Sequence, residues 1–245
     1  MEQVQLDKIY KFIKDSLYTA FVSAEQQCLV CDAQLTNKYE YLCVNCKEEL
    51  SVDNISKCRV CNRLSHNDEC KYCKNNKKQY EKIYTVFEYE KPIDKFINEF
   101  KEQGKTIYGR MFVKSLLDNY SNFSIDNIDL ITSVPANRLR KITRLRDAPK
   151  YFAKALSKYT GIDYSSKCLR RKGFAKAMRK KTSKQRMDLA SKSYVFGSYD
   201  VKDKNILLVD DVFTTGATTH VCSNLLIANG AKSVNVLAMI CVKSR

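Results

Sequence analysis

The chain has 245 residues, a hydrophobic fraction of 44% and a net charge of +16, which is enough apolar material for one ordinary domain and a small appendage. No run approaches the roughly 20 apolar residues of a membrane span, and the N-terminus lacks the basic-then-apolar order of a signal peptide. We therefore expect no membrane insertion and a cytoplasmic protein with one or two domains.

The first predicted element is an amphipathic helix in residues 4–22. Its apolar residues recur at helical spacing, with lysines and an aspartate on the other side. We assign residues 1–24 to an N-terminal amphipathic helix, which needs another surface to pack on.

Four Cys-x-x-Cys pairs follow. Two thiolates three positions apart can meet one tetrahedral ion from a tight turn, and a second pair completes its ligand shell. We predict a double zinc ribbon in residues 25–78 with two structural zinc sites; an iron–sulfur cluster is the alternative. The pairing is open between a cross-brace and consecutive pairs, which we favour because their loops are shorter. The ligands are Cys28, Cys31, Cys43, Cys46, Cys58, Cys61, Cys70 and Cys73.

Residues 79–245 alternate between strand and helix patterns, and we assign them to one domain. Strands are predicted at 83–89, 125–134, 205–209 and 233–242, and helices at 92–103, 148–159 and 217–228. This alternation predicts an α/β fold with a parallel sheet flanked by helices. Ligands of such sheets bind outside the carboxyl ends of the strands.

Positive charge is concentrated between Arg138 and Lys192, a segment that carries a net +16, equal to that of the whole chain. Such an excess favours a polyanionic partner, although a solvated basic face is the alternative. Residues 170–186 are predicted to form a loop that binds nucleic acid. An aromatic residue within it favours single-stranded DNA, because exposed bases can stack on its ring. The predicted nucleic-acid-binding residues are Arg170, Arg171, Lys172, Phe174, Lys176, Arg179, Lys180, Lys181, Lys184 and Arg186.

The stretch 205–218 joins an apolar strand, two aspartates, a turn of small residues and the start of a helix. Free backbone N–H groups at a helix N-terminus favour a phosphate, and carboxylates can accept hydrogen bonds from a ribose diol or help to hold a divalent cation. We predict a sugar-phosphate pocket; the alternative is that these residues only cap the helix. The pocket residues are Asp210, Asp211, Phe213, Thr214, Thr215, Gly216, Ala217 and Thr218.

The segment "ILLVDDVFTTGATT" resembles the phosphoribosyl-pyrophosphate (PRPP) motif of type I phosphoribosyltransferases. Together with the N-terminal cysteine pairs it resembles the ComF family (ComFC/GntX-like) of competence proteins, and residues 87–105 and 129–147 are similar to further family segments. The family commonly has Arg-Gly-Phe-Asn-Gln where residues 146–150 read Arg-Asp-Ala-Pro-Lys. The resemblance implies Mg²⁺ with PRPP, a ComFA-like helicase as partner, and a pyrophosphate position at Val134, Pro135, Ala136, Asn137 and Arg138.

Three functions follow as hypotheses. The first is a ComF-like competence protein that binds and handles single-stranded DNA during natural transformation and has a PRPP pocket. The second is an active phosphoribosyltransferase, for which the sequence reveals neither an acceptor site nor catalytic residues. The third is an adaptor that docks a helicase-like partner through its zinc ribbons and N-terminal helix.

Overall fold

The computed structural model describes residues 27–37, 39–53, 55–75, 80–123, 127–136, 145–172 and 183–243, so the predicted N-terminal helix lies outside the described residues. The helices are α1 (Val44–Glu49), α2 (Lys71–Asn75), α3 (Ile93–Gln103), α4 (Thr106–Tyr120), α5 (Ala148–Thr160), α6 (Ser183–Ser193) and α7 (Ala217–Ala228). The strands are β1 (Ile83–Glu88), β2 (Leu130–Ser133), β3 (Leu169–Arg171), β4 (Tyr194–Phe196), β5 (Asn205–Phe213) and β6 (Ser233–Cys241). Among the helices in these ranges, none combines the length and apolar composition that crossing a bilayer requires.

The central sheet has the strand order β1-β6-β5-β2, and every neighbouring pair is parallel. Strand β5 alternates between the two faces, as a strand buried on both sides must. Leu207 and Val209 pack with α3, α4 and α5, whereas Ile206 and Leu208 pack on the opposite face with α7. The predicted α/β fold, a parallel sheet flanked by helices, is confirmed.

The two groups of cysteine pairs pack against different faces of this sheet. Cys28 and Cys46 belong to the core beside α3, α4 and α5, while Cys58, Cys61 and Cys70 belong to the core on the α7 side. The second group is joined to the sheet directly, because the Ile83 N–H donates to the carbonyl of Cys61 at 2.8 Å. The cysteine-rich segment therefore shares its cores with the sheet, and the division of the chain near residue 78 stays a prediction.

Several elements differ from the sequence-based expectations. Strand β5 continues to Phe213, beyond the predicted end at Val209, because β6 extends beside it and pairs Phe213 with Cys241. Helix α4 was not predicted, and β2 is shorter than the predicted strand. The predicted loop 170–186 begins within β3, because β3 pairs with the distant strand β4, and it ends within α6.

The chain leaves β2 and β5 in opposite directions. After β2 it passes through α5 to Tyr164, which forms a parallel bridge with Ile131 on the outer side of β2. After β5 it passes through α7 to β6 on the other side. The carboxyl ends of β2 and β5, where Ser133 pairs with Val209, therefore form a topological switch point, the place where α/β sheets bind ligands.

Candidate functional site

The two aspartates, Asp210 and Asp211, lie near the carboxyl end of β5, beside the switch point. Asp210 is 7% exposed, and its Oδ1 accepts a hydrogen bond from the Asp211 N–H at 2.8 Å. Asp211 Oδ2 lies 2.5 Å from the Nζ of Lys101 on α3, and Lys101 is itself buried. Burial, followed by the neighbouring Asp211 carboxylate, raises the pKa of Asp210 to about 8. In its protonated form the Asp210 carboxyl can donate as well as accept a hydrogen bond.

The turn after β5 leads directly into α7. Gly216 is the N-cap, with φ of 80°, and a Cβ at this position would lie 2.8 Å from the ring of Phe213. Glycine is therefore needed both for the left-handed backbone and for the close approach. Gly216 makes no side-chain cap hydrogen bond, so the N-cap residue itself leaves the first amides of α7 without a side-chain partner. The side chain of Phe213 is buried against Gly216.

A cavity of about 450 Å³ opens at the carboxyl end of β2. Its wall consists of residues 133–136, the start of α5, the half-buried Tyr164, the exposed Ser166, residues 169–172 and Val195. Four cationic side chains line it against a single acid, Asp147; the cations are Lys150, Arg170, Arg171 and Lys172. This size and charge suit a small anion or a segment of a polyanion.

The cavity brings together two predicted sets of residues. Val134, Pro135 and Ala136 of the predicted pyrophosphate position line the same cavity as Arg170, Arg171 and Lys172 of the predicted nucleic-acid-binding set. The aspartate pair and the turn 214–216 lie beside it but do not line it. Asn137, Arg138, Phe174, Lys176, Arg179, Lys180 and Lys181 lie outside the described residues, as do the side chains of Lys184 and Arg186 on α6.

Arg171 is held rigidly within this wall. One of its terminal nitrogens donates to the Tyr194 hydroxyl at 3.2 Å, and the guanidinium carbon lies 5.1 Å from the centroid of the same ring. Tyr194 is buried, so it cannot stack on a nucleic-acid base. By contrast, Arg170 and Lys172 are exposed and free to meet a ligand from solvent.

The cysteine pairs form two clusters of four, each with sulfur atoms within 4.8 Å of one another. The consecutive pairing is confirmed, since the first four and the last four cysteines group separately. Four thiolates at about 2.3 Å from one zinc ion lie roughly 3.8 Å apart at the corners of a tetrahedron. The distances from Cys31 Sγ to Cys43 Sγ, 3.7 Å, and from Cys61 Sγ to Cys70 Sγ, 3.8 Å, match this spacing. Both clusters could therefore hold structural zinc.

Backbone N–H groups point at several of these sulfur atoms. The N–H of Cys43 donates to Cys28 Sγ at 3.4 Å, and the N–H of Cys70 donates to Cys58 Sγ at 3.3 Å. Burial opposes ionisation of Cys28, but N–H donors from Cys31, Cys43 and Val30 outweigh it and lower its pKa to about 6. The thiolate is thus favoured at Cys28, and likewise at Cys58 in the second cluster, whereas burial raises the pKa of Cys46 and Cys61, whose protons a bound metal would have to displace.

Comparison with known proteins finds several bacterial relatives. The DNA utilization protein YhgH of Escherichia coli K12 is 23% identical over 222 residues, covering 80% of this chain and 94% of that protein. The competence protein ComFC of Streptococcus pneumoniae R6 is 26% identical over 218 residues, covering 87% of this chain and 86% of that protein. Over most of its length the chain is therefore similar to proteins whose names refer to DNA utilization and to competence, and it shares with the ComF-like pattern the two groups of four cysteines.

Other comparisons concern family models and solved structures. No protein-family model matches the chain. Adenine phosphoribosyltransferase from Leishmania tarentolae has a TM-score of 0.38 at 12% identity, over 65% of this chain and 91% of that one. Purine phosphoribosyltransferase from Pyrococcus horikoshii has a TM-score of 0.30 at 19% identity, over 52% of this chain and 65% of that one. The fold class itself rests on the sheet topology described above.

Lys101 and Arg63 are among the residues around this site that the sequence did not predict. Lys101 lies on an amphipathic helix, where the local pattern gives a lysine no reason to be buried. Arg63 lies between cysteine pairs, yet its guanidinium donates to the carbonyl of Thr214 in the turn before α7. Both contacts join segments far apart in sequence, so no local signal identifies them.

Proposed function

We propose that this ComF-like protein binds and handles single-stranded DNA in the cytoplasm during natural transformation, and that the ends of β2 and β5 form a pocket for PRPP or another sugar phosphate. The observation that carries the proposal is the cationic cavity, in which the backbone after β2 meets the exposed Arg170 and Lys172. The names of the relatives, which refer to competence and DNA utilization, support the same role.

The positive charge of the cavity supports single-stranded DNA as the ligand. Cationic side chains that neutralise phosphates release counterions, which gives affinity with little dependence on sequence. Tyr164 adds a half-buried ring to the same cavity wall, with its hydroxyl 3.0 Å from Ser133 Oγ. A cationic groove with an aromatic side chain favours unpaired bases over a duplex, because only unpaired bases expose a face for stacking.

Fluorescence anisotropy with a labelled single-stranded oligonucleotide tests DNA binding. The double variant Arg170→Gln, Lys172→Gln removes two exposed cations from the cavity wall; Lys154→Gln, Lys202→Gln removes two exposed cations elsewhere. We expect the first pair to weaken binding and to reduce the slope of log K against log salt by roughly 1.4, since each phosphate contact of a single strand contributes about 0.7. Equal effects of both pairs would refute a site at the cavity, and salt-independent binding would refute the DNA role.

The aspartate pair and the turn before α7 support the sugar-phosphate pocket. In this proposal the amides after Thr214 hold a phosphate, and Asp210 and Asp211 hold the ribose diol. Mg²⁺ bound with PRPP would neutralise its diphosphate. Calorimetric titration with PRPP and Mg²⁺ is expected to detect binding to the wild type and to the exposed control Asp188→Asn, but not to Asp210→Asn, Asp211→Asn. Unchanged binding by the double amide variant would refute the assignment.

The alternative is an active phosphoribosyltransferase. The free amides after Gly216 and the acids at the switch point favour it, because the same groups would hold PRPP for reaction. An acceptor nucleophile would attack the anomeric carbon, and the bond to pyrophosphate would break. Release of pyrophosphate that requires one particular nucleobase would favour the enzyme, and a lack of release with every nucleobase would favour the binding role.

A ComFA-like helicase is the protein partner that we propose for the cysteine-rich segment. In the adaptor alternative, the zinc ribbons dock the helicase-like partner and the protein does not bind DNA itself. The anisotropy experiment separates the two, since an adaptor would give no salt-dependent DNA binding of its own.

A further inference from the structure

Arg63 connects the second cysteine cluster to the turn before α7. It lies two residues after Cys61, and its carbonyl accepts the Cys58 N–H at 2.8 Å, so its backbone is part of the turn that carries these two ligands. Its side chain is 8% exposed and points into the protein. There, one terminal nitrogen donates to the carbonyl oxygen of Thr214 and, at 3.2 Å, to that of Val242.

The same guanidinium also covers the end of β5. Its central carbon lies 5.1 Å from the centroid of the Phe213 ring, the ring on which Gly216 packs. The two carbonyls that it binds follow neighbouring strands, since the Val242 N–H donates to the Phe213 carbonyl at 2.8 Å. Arg63 therefore fixes the point where β5 and β6 end and the turn begins.

The direction of the Thr214 carbonyl determines the direction of the next amide. In a trans peptide the C=O and the N–H point to opposite sides of the chain, and the peptide that joins Thr214 to Thr215 is trans. Because the carbonyl points to Arg63, the Thr215 N–H points away from the cysteine cluster. This is the first amide of the proposed phosphate-binding turn.

We propose that Arg63 is a positioning residue: it orients the amides of the turn 214–216 for an anion and transmits the metal-bound state of the second cysteine cluster to that turn. The ligand that these amides would hold rests on the function proposed above. A lysine cannot replace Arg63 fully, because an ammonium group lacks the planar guanidinium that lies over the Phe213 ring while one of its nitrogens donates to the two carbonyls.

Hydrogen exchange of the peptide covering residues 209–221 tests the positioning without any ligand. Arg63→Lys is compared with Arg59→Lys, whose side chain is exposed in the same cysteine-rich turn. We expect Arg63→Lys to keep two zinc ions per chain, in line with the two clusters, and to raise exchange of the turn amides roughly tenfold. Exchange equal to that of Arg59→Lys would overturn the proposal.

The link to the metal is tested with one cysteine variant from each cluster. Cys73→Ser in the second cluster is expected to raise exchange of the turn, whereas Cys31→Ser in the first cluster is expected to leave it unchanged. A similar increase in both variants, or in neither, would overturn the link. Titration with PRPP and Mg²⁺ is then expected to give roughly tenfold weaker binding to Arg63→Lys than to Arg59→Lys. Failure of PRPP to bind the wild type refutes the proposed pocket, while the exchange results still decide the role of Arg63.

Discussion

Replacing Lys101 with methionine is expected to destabilise the protein much more than replacing a surface lysine. The Nζ of Lys101 lies 2.5 Å from Asp211 Oδ2, and the exposed fractions of the two side chains are 6% and 17%. Methionine keeps the apolar stem but leaves the Asp211 carboxylate without its cation. Removing one partner of a buried ion pair lowers the free energy of unfolding by about 3–5 kcal/mol. Because Asp211 is partly exposed to solvent, which screens the charge, we expect a value near the lower end of this range. A loss of about 3 kcal/mol in a chain of this length lowers Tm by roughly 6–12 °C.

Urea unfolding followed by circular dichroism measures this loss. Lys95→Met on the same helix is the matched control, since Lys95 is exposed, and its free energy of unfolding should stay within about 0.5 kcal/mol of the wild type. Lys101→Met, Asp211→Asn should recover part of the stability, with an interaction energy of about 1–3 kcal/mol in the double-mutant cycle. The reasoning is refuted if Lys101→Met is as stable as Lys95→Met, or if the two substitutions are additive.

Three further predictions concern the turn, the acid and the metal. Gly216→Ala is expected to lower the free energy of unfolding by about 1–2 kcal/mol because its backbone is left-handed, and further because the new Cβ would lie 2.8 Å from the Phe213 ring. Gly161→Ala is the control, since it has nothing within 4 Å and carries only the backbone cost. Equal losses for the two variants in urea unfolding would contradict the packing argument. Because burial raises the pKa of Asp210 from 3.8 to about 8, the folded state binds its proton more tightly than the unfolded chain, and stability should fall as pH rises through that window. Asp210→Asn should remove this fall, and unfolding curves with the same pH dependence in both proteins would be evidence against it. Cys58→Ser is expected to reduce the bound zinc from two ions to one per chain, because the other cluster keeps its four thiols. Mass spectrometry measures the number of ions, and loss of both would contradict the view that the two clusters bind zinc independently.

The cysteine clusters, the strands of the central sheet and three of its helices were predictable because their signals are local. The spacing Cys-x-x-Cys places two thiols on one turn, and a tetrahedral ion requires two such pairs. Strand β5 was recognisable from its apolar run. The helix ends predicted at 103 and 159 lie within one residue of the ends of α3 and α5, where Gly104 and Gly161 adopt left-handed backbone. The last strand was also predicted within one residue of its observed end at Cys241.

The environment of the candidate site was less predictable because distant segments build it. The extension of β5 depends on hydrogen bonds to β6, which place Asp210 inside the strand. The burial of Lys101 depends on α3 lying across the end of that strand. Likewise, the cavity forms because residues 133–136 lie close to residues 169–172. A local sequence pattern contains no information on which distant segments are close in space.

The sequence by itself determined the chemistry that is available: eight paired thiols, a parallel α/β sheet, a turn of small residues after two aspartates, and one strongly basic segment. Tertiary structure alone decided which of these groups meet. It placed a buried lysine against Asp211 and an arginine from the cysteine-rich segment against the turn. The physical reason is that periodicity and spacing report short-range geometry, whereas ion pairs and cavities depend on contacts between residues distant in the chain.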